Sequence, residues 1–303
     1  MERIKEALRG GLPCNSKGYL ESYQENIFQG YMPDRFRNMF IKGSGSELRS
    51  KAEAVHSSSM LAYNFFHWVS EKYPLTIDDI KYTQVFFEVK MNVLRGTNPA
   101  NMDILLIGKK DKRTKLLFIE SKFLEYLSSE KYELSKSYEN GDYYVNKDWN
   151  PFLNAVKLTV DNKENNCSYK GGIKQGVSHL FALTNLANEE AFGFLKNKNG
   201  LEIILKDMKS INVRDISFLN LIFEPSEADF KLEHEKFNSY KTLYRLFIKI
   251  AEEHTCIKPL FMTYSELWNN QERNKQISKV NNGHLHQYLK ERYMRFAEMR
   301  KDV

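Results

Sequence analysis

Three side chains able to act together chemically lie within a short stretch of this chain: Asp103, Glu120 and Lys122. Asp103 opens an apolar run, Ile104 to Ile107, and an acid-x-lysine triplet lies at the end of the next, Leu116 to Phe123. Sixteen residues separate the two acids. That is enough for a strand to run out, turn through the charged loop Lys109 to Lys115 and return beside its own start. Such a return brings two carboxylates and one ammonium group together. Side chains two apart on a strand share a face, so Glu120 and Lys122 project together, preceded by Leu116 and Phe118. Leu117, Ile119, Ser121 and Phe123 fill the other face. Charges at the end of so apolar a strand carry a desolvation cost unless they pair or bind a metal.

Six acid-x-lysine triplets occur in the chain, beginning at Asp79, Glu88, Glu120, Asp161, Asp207 and Asp229. Only Glu120-Ser121-Lys122 ends a buried-type strand whose neighbour opens with an acid. Glu88-Val89-Lys90, inside the strand-like segment Gln84 to Val93, is the nearest competitor. A plain ion pair at a strand end is the alternative reading of the triplet.

These residues need a frame. Gln84–Val93, Asp103–Ile107 and Leu116–Phe123 are predicted as consecutive antiparallel strands, with Arg95-Gly96-Thr97-Asn98-Pro99 making the first turn. Ahead of them, Ser44-x-x-Glu47 and Ser50-x-x-Glu53 are capping boxes before apolar residues at helical spacing, predicting a helix over 47–71. That helix carries a polar stripe of Glu53, His56, Ser57, Asn64 and His67. The stripe is either a solvated face or one turned toward Asp103, supplying an extra metal ligand or a phosphate contact. Residues 1–42 read as an arm of short helices anchored by aromatics. Lys136–Asn166 reads as an irregular polar insertion able to line a groove. Gly171-Gly172 opens a helix to Ala187, strands follow at Leu201–Leu205 and Ser217–Phe223, and the pattern is helical from Asp229 onward.

Composition sets wide bounds. The chain has 303 residues and a formal charge of +6, with 42% hydrophobic residues. These values suit a globular protein with a sizeable core and a mild preference for polyanions. Cys14, Cys167 and Cys256 are scattered and odd in number, which points to a reduced, cytoplasmic setting rather than a disulfide framework or a zinc site. No apolar stretch approaches the ~20 residues of a membrane span.

The order helix, three meandering strands, helix, further strand, with Asp103 and Glu120-Ser121-Lys122 on the second and third strands, resembles the PD-(D/E)XK nucleases. The approach Asn98-Pro99-Ala100-Asn101-Met102-Asp103 departs from the family pattern, because the proline does not directly precede the aspartate. More narrowly, residues 43–68, GSGSELRSKAEAVHSSSMLAYNFFHW, resemble a bacterial family of restriction-endonuclease-like proteins. The likeness covers 43–224, and the C-terminal helices more loosely. It implies an α/β fold, α+β by strand order, with a mixed central sheet flanked by helices. The implied organisation is an arm (1–42), a nuclease-like core (43–228) and a C-terminal helical region packed on it (229–303).

The same resemblance implies a metal-dependent phosphodiesterase. Asp103, Glu120 and the Ser121 carbonyl would hold one or two Mg²⁺ ions, with Mn²⁺ able to substitute, since such hard cations take oxygen ligands. Lys122 would orient the attacking water or neutralise charge building on phosphorus. Family members often complete the site with one more acid. Glu88 and Glu53 are the candidates here, and Glu88 is preferred because it shares the sheet. Gln175 resembles a glutamine some members carry on the helix after the third strand, or is simply a polar residue at a helix start. His179 reads as a hydrogen-bonded core histidine.

The leading expectation is a DNA endonuclease acting on double-stranded DNA, in which a homodimer would present two sites to two strands. The competing expectations are a catalytically silent nucleic-acid-binding subunit on a nuclease fold, and a scaffold unrelated to nucleic acid in which the triplet is a structural ion network.

Overall fold

The three strands expected between Gln84 and Phe123 form the centre of the computed structural model, which describes residues 3–43, 47–145, 147–187, 213–273 and 275–299. Six strands form one sheet in sequence order: β1 (Leu75–Ile77), β2 (Ile80–Met91), β3 (Ala100–Lys110), β4 (Arg113–Lys122), β5 (Ile216–Ile222) and β6 (Pro259–Thr263). β1 to β4 are antiparallel neighbours, whereas β4–β5 and β5–β6 are parallel. The sheet is therefore mixed and, with helices around it, the fold is α/β. From Leu116 to Lys122 every residue of β4 is buried, as expected of a strand covered on both faces.

Helices cover both faces. The described helices before the third strand are α1 (Arg3–Arg9), α2 (Asp34–Lys42) and α3 (Ser58–Phe66). The Ser121 hydroxyl lies 3.5 Å from the Ser58 carbonyl at the start of α3. On the opposite face α5 (Gly171–Ala187) brings the His179 ring against Phe218. A long helix, Lys231–His254, backs the same side, where its buried Tyr240 hydroxyl accepts from Asn220 of β5 at 3.1 Å. The predicted strand Leu201–Leu205 lies outside the described residues.

Three expectations are corrected. The helix predicted over 47–71 is only Ser58–Phe66, capped by the Ser57 hydroxyl, which accepts from the Met60 amide. Upstream, Glu47–Lys51 forms an irregular turn with Ser50 at φ 59°. The cause is tertiary: Asn26 donates to the carbonyls of Ala52 and Ala54, and Arg292 to that of Val55, so these carbonyls are held by distant side chains. Within the insertion read as irregular, Asn150–Asp161 forms helix α4, with Pro151 in its first turn and Phe152, Val156 and Val160 buried at four-residue steps. The region after Asp229 is not wholly helical, because Pro259–Thr263 joins the sheet as β6.

The N-terminal segment is sewn into the same core. Ile4, Leu8, Phe36 and Phe40 are buried in it. Arg292, itself buried, donates to the Leu8 carbonyl, the Asn26 side chain and the Val55 carbonyl. No described helix is long and apolar enough to cross a membrane.

Candidate active site

Strand register puts the acids in a row. Ile104 faces Ile119 across β3–β4, so one step further Asp103 lies beside Glu120. Across β2–β3, Phe87 faces Ile104 and Val89 faces Met102, so Glu88 lies opposite Asp103. The row continues into β5, where Glu120 is paired with Asn220. Directly opposed residues share a face and bring their Cβ atoms within about 5.5 Å, so three carboxylates stand side by side at one end of the sheet. Glu88 has a left-handed backbone, φ 51°, unusual for a non-glycine residue in mid-strand.

Each group has a defined partner. Lys122 Nζ is in close contact with Glu120 Oε1, both side chains being buried. The Ser121 amide donates to Asp103 Oδ2 at 2.6 Å. Asn101, two residues before Asp103 on the same strand face, donates to Glu88 Oε2 at 3.4 Å. His179 Nε2 is 3.1 Å from the Asn101 carbonyl and 3.6 Å from Glu120 Oε2. Behind the site, the Ser121 hydroxyl shares a 2.7 Å hydrogen bond with Tyr264.

Burial and crowding shift the protons. Burial, followed by the charge of Glu120, pushes the Asp103 carboxyl up to about 8. Glu88 is driven well up by burial and by the charges of Asp103, Glu47 and Glu120. Glu120 is also raised by burial, against the pull of Lys122. For Lys122 burial opposes the charge, but Glu120 and the other acids outweigh it, so the ammonium persists above its ordinary range. His179 falls to about 4 because it is buried, and its hydrogen bond to a carbonyl makes it a neutral imidazole donating through Nε2. It is thus a hydrogen-bonded core histidine, yet one that packs on the acid row.

The row opens into a groove of about 800 Å³. Gln175 and His56 line it. Glu53 and Asn64 do not. The Glu53 carbonyl accepts from Leu20 in a backbone pairing. Asn64 accepts from the Phe28 amide and donates to the Asn26 carbonyl and the Tyr293 hydroxyl, a structural brace. Sequence reasoning missed Glu47, which lines the groove, accepts from Lys51 at 2.7 Å and Ser59 at 3.1 Å, and was read only as part of a capping box. It also missed Asn101, whose parity with Asp103 was an available signal, and Tyr19 and Lys5 from the N-terminal segment.

Among the described residues, no three His, Cys, Asp or Glu side chains stand ready-grouped around a metal position. The donor chemistry nevertheless suits a hard divalent cation. Adjacent carboxylates hold one another's protons at raised pKa, and oxygen-binding cations relieve that like-charge crowding.

The family model described as "Restriction Endonuclease associating with ARP" matches residues 2–294. The chain belongs to that family. Membership in a restriction endonuclease family implies a nuclease, and the match runs through the N-terminal segment and the C-terminal helices as well as the sheet. No curated protein and no solved structure matches the chain.

Proposed function

We propose that this member of the restriction endonuclease family is a Mg²⁺-dependent phosphodiesterase that cuts DNA internally. The observation that carries the proposal is the cross-strand row Glu88–Asp103–Glu120, with Lys122 held against Glu120, at the base of the groove. Asp103, Glu120 and the Ser121 carbonyl would hold the cation, with Glu88 completing the set. A bound Mg²⁺ would supply Lewis-acid polarisation of a phosphate oxygen and increase the acidity of a coordinated water.

The remaining roles belong to the protein. Glu120 anchors the Lys122 ammonium, which stays charged throughout the physiological range and stabilises negative charge developing on the phosphate. The Ser121 amide fixes one oxygen of Asp103, leaving the other for the groove. Neutral His179 buttresses the Asn101 carbonyl, and Asn101 in turn steadies Glu88. Gln175, lining the groove from α5, is a polar contact for the substrate. The protein's partner in this reading is ARP, with which the family description associates the endonuclease.

The test is cleavage of supercoiled plasmid and linear duplex with Mg²⁺, with Mn²⁺ and with EDTA, beside a Glu120→Gln variant. Metal-dependent cutting that the variant loses supports the reading. Salt-sensitive DNA binding without cutting would turn it toward a silent binding subunit.

A further inference from the structure

The groove is acid-rich in a basic protein. Six carboxylate side chains line it against four lysines, although the chain as a whole carries +6. Beyond the acids that the proposed cation would offset, Glu125 and Glu130 still oppose a phosphate backbone, so the groove needs an uncharged contact to help hold a strand there.

One side chain fits that need. Of the large hydrophobic side chains exposed among the described residues, Tyr19 alone lines the groove, with 36% of its surface exposed. Its backbone is fixed on every side. Its amide donates to the Asn15 side chain at 3.1 Å and its carbonyl accepts from the Asn15 amide at 2.9 Å. The flanking Gly18 carbonyl accepts from Val55, and the Leu20 amide donates to Glu53, so Tyr19 is bridged to Ala54. Gly18 has φ 82°, and a Cβ there would meet Arg9 at 2.8 Å, so the turn requires glycine. The described ring pairs do not include Tyr19. Lys5 and Lys51 line the groove with it. A partly exposed aromatic side chain on a fixed backbone, in a polar groove that Lys5 and Lys51 also line, matches the way proteins stack unpaired bases, whose π-faces are free only out of the helix.

We propose that Tyr19 is a stacking platform for an unpaired nucleobase, so that the groove takes a DNA strand with a nucleotide out of the helical stack near the cleaved phosphate. This rests on the nuclease reading and names its substrate form. It also gives the N-terminal segment a direct role in binding.

The test is equilibrium binding in Ca²⁺ of three probes: a fully paired duplex, the same duplex with one unpaired 2-aminopurine, and the single strand. The wild-type chain, Tyr19→Phe, Tyr19→Leu and Tyr19→Ala are compared, with thermal unfolding as the check on folding. The expected result is tighter binding of the unpaired probes, with 2-aminopurine quenching, by wild type and Tyr19→Phe. Tyr19→Leu and Tyr19→Ala should lose about tenfold or more on those probes and little on the paired duplex. Equal binding of unpaired probes by all four folded proteins overturns the stacking role and leaves the nuclease reading standing, as does a wild-type preference for the paired duplex. Failure of the wild type to bind any probe overturns both.

Discussion

Glu88 lies across the strand pair from Asp103 on a left-handed backbone at φ 51°. A buried carboxylate facing another carboxylate on a strained backbone is costly twice, in conformation and in desolvation. Strain of this kind persists where the surrounding structure enforces it, and it clusters at functional sites.

Glu88→Asn relieves both costs, because asparagine tolerates positive φ and carries no charge. The variant is expected to gain about 1–2 kcal/mol in stability and to lose cleavage by about tenfold or more through weaker cation binding. Chemical denaturation and plasmid nicking measure the two effects. A variant that is less stable and fully active would remove Glu88 from the site.

In the proposed site Asp103 would hold the cation and Lys122 would face the reacting phosphate, and Asp103→Asn and Lys122→Met remove these groups one at a time. Loss of about 10²- to 10³-fold in cleavage is expected for each, read by single-turnover kinetics. Asp103→Asn should also abolish the thermal shift expected with Mg²⁺, while Lys122→Met should retain it, since only the first removes a proposed cation ligand.

The acid row predicts an unusual pH dependence for the metal-free protein. Asp103 is raised from an ordinary value of 3.8 to about 8, so between those values the folded state holds a proton that the unfolded state has released. Stability therefore falls as pH rises across that window. Buried His179, lowered from 6.5 to about 4, works the other way below pH 6.5, where the unfolded state binds the extra proton. The net fall should be clearest between pH 6.5 and 8, on the order of 1–2 kcal/mol. Melting temperatures in EDTA should show it, and Asp103→Asn should flatten it. A profile rising with pH in both proteins would contradict the raised carboxyl of Asp103.

Asn64 was a candidate accessory residue, yet it braces three backbone and side-chain groups away from the groove. Asn64→Leu leaves the buried Phe28 amide without its acceptor. It should destabilise the fold by about 2–3 kcal/mol while leaving cleavage per folded molecule unchanged. Activity normalised to the folded fraction distinguishes this from a role at the site.

What the sequence reveals most clearly is strand periodicity. The alternation around Asp103 and Glu120-Ser121-Lys122, with the turn between, is enough to set three antiparallel strands and a common face, because side-chain parity is a local property. The mixed α/β sheet is what the family resemblance implies, since parity says nothing of the parallel pairing of β4 with β5. The groove wall is less legible. Glu47 and Tyr19 lie in irregular backbone whose path is set by Asn26 and Arg292, residues distant in sequence. No local pattern encodes those contacts. The strand Pro259–Thr263 follows a long amphipathic helix and is too short for its apolar run to separate strand from helix. Helix α4 was hidden by polar composition, although Phe152, Val156 and Val160 carry its spacing.

The brace formed by Arg292 also orders events in time. It ties Leu8, Asn26 and Val55 to a side chain that leaves the ribosome some 284 residues after Leu8. The sheet with its acid row can pair from earlier, largely local contacts, but the N-terminal wall is fastened only when Arg292 and its helix arrive. A nascent chain thus carries its charged centre before it has a secured substrate wall. The long loop closed between Leu8 and Arg292 makes that fastening a late step of high contact order.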